Sequence, residues 1–543
     1  MRASACYVKQ QEEYARDRWR RIGYEGAAMI LAGCARTLSR CLLAGSIAGG
    51  SGLLGQAPAT PLAIAAESTE APGQTATAPL GVVRVEPDRG VVGTSFTVAT
   101  DGLPPGAVVG WEWLTWDGTY DTNPSSETVE YLHRAFVDRR VSLGQSVADE
   151  GGRASATFVA PEDFGEVHSI YAVVDGADVA RGGFRIQLSA SLSPTEGPIG
   201  TPITIRVTGM AAKLFSGSTL AVRWNNAYTG VLTATTTHGT AAARIRAAGP
   251  VGDQYVVLNA GTVPAYLNIA QSPYDFVYAH LPDHEDIRLP FRVTGDGGMP
   301  PDQMDWPDPS RVAELGPDAP RTAAVNPPKP GVGAELRPAR GPILSTPTLV
   351  ATGLAPGADV QMWWVTARGN RVTPSGWSLA DIPLPPATAG DDGALTVSIT
   401  VPDDLGGWHV LKMAQNDAVV AEAPYFVERS LAEVSHRQVH AGDTVTVHVK
   451  GLGWTELDNG FAVTYDNSHI GYACGFNSDG DVVMQVLATG GPGTHLIDLY
   501  PMVYTGHDAK AWYWAPVLTY AEDFPALELG YRLPAIRIAI TIL

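Results

Sequence analysis

Several residue clusters in this chain have types that could do chemistry. "HLPDHED" (280–286) brings His280, Asp283 and His284 close together, and these are metal-ligating side chains. Pro282 stands between the histidines and excludes the helix that would align them on one face. An exposed loop is the expectation here, with metal binding at His280, Asp283 and His284 the weaker alternative. His168 and His409 each follow an acidic turn, "PEDFG" and "PDDLG". Such a histidine could be a base beside Asp163 or Asp404, or could hold the turn by a structural hydrogen bond. One histidine per turn supplies no ligand set, which favours the structural reading. "YDNSHIGYACGFNSDGD" (465–481) surrounds Cys474 with polar residues and glycine. Tryptophans crowd two segments, Trp111, Trp113 and Trp116 in "GWEWLTWDGTY" and Trp363 and Trp364 in "QMWWVTARG". No G-x-S-x-G elbow, phosphate-binding loop, C-x-x-C or H-E-x-x-H motif is present.

The elements that position these residues are organised by repetition. "PDRGVVGTSFTVATDGLPPGAVVGWEWLTWDG" (from Pro87) aligns without a gap to "PARGPILSTPTLVATGLAPGADVQMWWVTARG" (from Pro338). "ATFVAPEDFGEVHSIYAVVDG" then aligns with "VSITVPDDLGGWHVLKMAQND", so Asp163 and His168 meet Asp404 and His409. "LAVRWNNAYTGVLTATTTHGTAAARIRA" aligns with "FAVTYDNSHIGYACGFNSDGDVVMQVLA", matching Asn226 to Asn467. The chain is therefore a duplicated pair: A (82–188), B (189–293), a Pro-rich linker (294–333), A′ (334–428) and B′ (429–543). Strand-like alternation in "TSFTVAT", "PITIRVTG" and "DTVTVHVKG", with Gly/Pro turns between, predicts an all-β fold of tandem sandwich domains. Trp113 and Trp364 are repeat equivalents and read as core tryptophans. Trp116 and Trp363 have no aromatic counterpart, so these two are the candidates for stacking on a sugar or a partner. The "YDNSHIGYACGFNSDGD" stretch reads as a β-hairpin with Asp479 and Gly480 at its turn. Asn226 and Asn467 either hold a turn or mark a small binding site.

The P-x-x-G-x-x-G-T opening at Pro87, Gly90, Gly93 and Thr94, followed by "GLPPGAVV", resembles bacterial immunoglobulin-like domains of the IPT/TIG kind. Pro194, Gly197, Gly200 and Thr201 repeat it; A′ keeps only "PARGPILS", and B′ keeps only Gly442. The resemblance covers about a third of each unit. It implies immunoglobulin-like sandwiches used for extracytoplasmic display, spacing or binding, and it carries no catalytic residues or cofactor.

The chain has 543 residues and a net charge of −19. Phosphates would be repelled by such a polyanion, which argues against nucleic-acid partners. Residues 1–66 read as an export leader, with an apolar run from Cys41 to Gly55 and "AIAA" at 63–66 for cleavage. Lipid anchoring at Cys34, in "LAGC", is the lesser alternative, and the mature chain is expected to carry no transmembrane span. Cys474 alone then remains, so the domains rest on their cores without disulfides. These readings point to a non-catalytic exported bacterial protein, offering a structural or binding surface to a protein or glycan at the cell envelope. A carbohydrate- or polymer-binding accessory protein and a hydrolase with an inter-domain site are the alternatives.

Overall fold

A computed structural model describes residues 80–124, 129–212, 218–261, 287–313, 325–369, 377–476, 478–503 and 515–543. The leader, with Cys34, and the His280, Asp283 and His284 cluster lie outside these residues. Described residues are strand, turn or 3-10 helix, so the fold is all-β. No helix among them is long and apolar enough to cross a membrane.

Strand pairing gives eight sheets that stack as four two-sheet sandwiches. In A, Arg84–Glu86, Ser95–Thr100 and Ala154–Val159 form the smaller sheet. It faces Ala177–Ile186, Glu166–Val174, Val108–Pro124 and Val129–Val147, with Gly81–Val82 and Arg89–Gly90 parallel to Ala177–Ile186. B and A′ set three strands against five, and B′, like A, three against six. The arrangement is immunoglobulin-like: the chain passes back and forth between the two sheets, and alternate side chains meet between the layers. Each layer pair closes over its own core, for example Phe96, Trp111, Trp113 and Phe184 in A, and Leu349, Trp364, Leu411 and Tyr425 in A′.

The opening motif has a physical reading. The chain leaves the small sheet and adds Arg89–Gly90, Glu196–Gly197 or Arg340–Pro342 beside the last strand of the large sheet. A Cβ on Gly90 would lie 2.4 Å from Thr94 Oγ1, and one on Gly197 would lie 2.5 Å from Thr201 Oγ1. The second glycine, Gly93 or Gly200, takes φ of +86° or +87°. In A′ that place belongs to Leu344, held at φ +61° although its side chain disfavours it.

The Pro-rich segment does more than connect. Gln303–Asp305 adds as an antiparallel edge strand to Ala535–Ile542. Trp306 lies under the Arg532 guanidinium, 5.3 Å from ring centroid to Cζ. Asn326 and Lys329 bond to Glu422 and Val420 of A′. Proline and glycine density reads as a linker, but the short proline-free "QMD" between them is free to extend and pair.

All the described residues belong to one compact unit, 78–543. Tyr120 and Tyr131 (A), Val231 (B), Trp408 and Phe426 (A′) and Phe524 and Tyr531 (B′) share one apolar cluster. Asp523, fully buried, knots it. It accepts from Tyr120 Oη at 2.6 Å, Thr235 N at 2.9 Å, Thr236 N at 2.8 Å and Thr236 Oγ1 at 2.7 Å. The next turns of the same segment pair Val517 with Val231 of B. A second seam joins B to B′ through Arg246 and Asp498 at 2.5 Å, both buried, with Arg537 bridging Asp498 and Asp305.

Candidate binding cleft at the first domain junction

The repeated Trp, Asp and His residues come together in both copies, as packing. Trp113 donates Nε1–H to Asp163 at 2.8 Å, and Trp364 to Asp404 at 3.2 Å. His168 stacks on Trp113 at 4.4 Å, and His409 on Trp364 at 4.7 Å. The His168 ring nitrogens lie 2.8 Å from Leu114 O and 2.6 Å from Phe164 O. Those of His409 lie 2.9 Å from Val365 O and 2.8 Å from Leu405 O. Asp163 lies 3.9 Å from His168 Nδ1, and Asp404 lies 4.0 Å from His409 Nδ1. Both histidines are fully buried and hold the acidic turn to the core strand.

That turn docks onto the next domain. Gly165 N donates to Met210 O, and Gly406 N to Leu452 O, each at 2.9 Å. The backbones approach so closely that a Cβ on Gly165 would lie 2.0 Å from Gly209 O, and one on Gly406 1.8 Å from Gly451 O. Each A–B pair is thus locked at an equivalent junction.

The first junction opens into a cleft of about 480 Å³. Its cause is the length of the hairpin formed by Val108–Pro124 and Val129–Val147. This hairpin overruns the small sheet of A and continues over B, where Gly118 passes Thr235. Arg139 and Val141 beside Thr115 and Trp113 are left facing B. Pro161 and Ala242 complete an apolar floor, and Thr237, His238 and Arg206 rise from B. Arg311 and Glu522 close the rim. At the base, Asp163 accepts from Thr115 Oγ1 at 2.6 Å and Phe164 N at 2.8 Å. Burial pushes its carboxyl up. The imidazoles of His238 and His168 and these hydrogen bonds outweigh that and hold it below the usual carboxylate range.

The cleft collects residues that sequence reasoning passed over: Arg139, Arg206, Thr237, His238, Arg311 and Glu522. Each is a solitary charge or hydroxyl on a separate element, so no motif marks them. The repeat alignment held one signal, because His238 faces Asp479 in the second copy.

The residues singled out by sequence lie elsewhere. Trp116 is half-buried, 5.0 Å from the His168 ring and 6.3 Å from Phe164, and packs on the junction turn. Trp363 is half-buried beside Pro383 and Lys412 of neighbouring strands. Asn226 is exposed, whereas Asn467 is buried and donates to Arg246 O at 2.7 Å. The residue that holds the turn in both copies is the one before: Asn225 accepts from Tyr255 N, and Asp466 from Leu496 N. The hairpin turn lies at Asp466 and Asn467, between Gly460–Tyr465 and Ser468–Cys474. Asp479 and Gly480 instead sit where the chain crosses from the large sheet to the small one, which corrects the turn expected there. Cys474 ends its strand half-buried, and burial pushes its thiol up to about 11.

No family model matches the chain. No curated protein matches it. Among solved structures, Escherichia coli alpha-2-macroglobulin aligns at 10% identity and TM-score 0.16, over 84% of this chain and 30% of that one. The chain thus spans under a third of that protein. A tetra-tandem repeat from the extending region of a large adhesion protein aligns at 12% and 0.16, over 80% and 97%. Invasin, a bacterial integrin-binding protein, aligns at 10% and 0.18, over 85% and 79%. At these identities and scores the likenesses bear on neither function nor partner.

Proposed function

We propose that the chain is a non-catalytic exported bacterial envelope protein whose four sandwiches work as one rigid binding platform. The observation that carries this reading is the buried Asp523 knot, which ties A and B to the segment of B′ that also packs on A′. A string of independent display modules has no need of a buried carboxylate in one domain satisfied by donors from two others. Scanning calorimetry tests it. One cooperative transition is expected, with Asp523→Ala splitting or lowering it; four separate transitions would remove the reading.

A second reading is favoured by the cleft: a carbohydrate-binding accessory role exercised between A and B. It does not use Trp116 or Trp363, whose rings are half-buried. The inter-domain hydrolase reading gains polar convergence at this junction. It loses the equivalent residues at the second, where His448 and Asp479 replace Arg206 and His238.

A further inference from the structure

We propose that the A–B cleft binds an acidic saccharide, a uronate-type ring that carries a carboxylate beside its hydroxyls. The inference rests on the carbohydrate-binding reading and names its ligand class. Its first support is a difference between the two copies of the junction. Arg139 lies opposite Thr115, and Ala380 lies opposite the equivalent Thr366. His238 likewise faces Asp479, and Arg206 faces His448, which lies 3.7 Å from Asp481. The basic side chains of the second junction, Arg368 and Lys450, are met by Asp479, Asp403 and Asp481, whereas the first junction adds Arg139 and His238, in a chain whose net charge is −19.

The second support is how those cations are held. Arg139 Nε meets Asp117 at 3.0 Å, Arg206 Nη2 meets Glu162 at 2.7 Å, and Arg311 Nη2 meets Glu522 at 3.2 Å. Each guanidinium spends one nitrogen on a carboxylate in a pair that water reaches. Such pairs are weak, and the remaining donors suit a bidentate ligand carboxylate. Glu162, Glu522 and Thr237 can take hydrogen bonds from ring hydroxyls, while Val141, Pro161 and Ala242 offer an apolar floor for the carbon face. An acidic peptide supplies carboxylates but no ring hydroxyls for Glu162, Glu522 and Thr237.

The test is titration calorimetry on the full chain with three probes: trigalacturonate, the neutral galactose trisaccharide and triglutamate. Trigalacturonate should bind, with the other two weaker by about tenfold or more. Arg206→Met and Arg139→Met should each weaken it by about tenfold without moving the melting temperature. Arg368→Met at the second junction should leave it unchanged. Absence of trigalacturonate binding, equal binding of triglutamate, or indifference to both cleft variants overturns the proposal. Preference for the neutral trisaccharide overturns the acidic ligand but leaves the carbohydrate reading standing.

Discussion

Removing Asp498 should unlock B from B′. The carboxylate is 1% exposed and lies between two buried cations. Arg246 reaches it with Nη2 at 2.5 Å and Nε at 3.2 Å, and Arg537 Nη1 lies 3.5 Å away. In Asp498→Ala, Arg246 keeps its bond to Ile538 O at 2.7 Å but has no counter-charge. Arg537 keeps Asp305 at 3.2 Å, so Arg246 is left as the uncompensated buried cation. Breaking one partner out of such a set costs about 3–5 kcal/mol. Arg246→Met with Asp498→Leu removes both charges and leaves the Arg537–Asp305 pair balanced. That double variant should cost less than the sum of its single substitutions, by about 2 kcal/mol. Urea unfolding followed by tryptophan fluorescence reads both quantities. A cost below about 1 kcal/mol for Asp498→Ala, the range of exposed pairs, would refute the buried seam. Additivity of the double variant would do the same.

Other consequences are direct. Thr115→Val should cost about 1–3 kcal/mol, because buried Asp163 loses a donor. The equivalent Thr366→Val should be neutral or stabilising, since the Thr366 hydroxyl is buried without a hydrogen-bond partner; urea midpoints compare the two. Leu344→Gly should stabilise A′ by up to about 1 kcal/mol by relieving a left-handed backbone, whereas Gly93→Leu at the equivalent place should destabilise A, as thermal melts will show. Native Cys474 should resist iodoacetamide at pH 8 and react fully in urea, because burial keeps its thiol protonated far above that pH; mass spectrometry counts the adducts.

The sandwiches were legible because their signals are local and occur twice. Period-two alternation, P-x-x-G-x-x-G-T and the Trp113/Trp364 equivalence each report a short-range constraint of one strand or turn. The docked segment was less legible, since its only strand is three residues long and its anchors, Arg437, Arg244 and Arg537, are remote in sequence. The cleft was legible only as a difference between repeats. Its walls come from a hairpin that outgrows its own sheet, and sequence alone does not say where a long hairpin will land. The Asn226/Asn467 match misled for a related reason. The same hairpin faces solvent in B and a domain seam in B′, so equal residues have unequal surroundings.

Solution scattering from the full mature chain tests the central claim most directly. A single rigid block predicts a radius of gyration near that of a compact chain of about 480 residues, roughly 23 Å, unchanged between low and high salt. A markedly larger, salt-dependent radius, with the signature of domains moving independently, would contradict it.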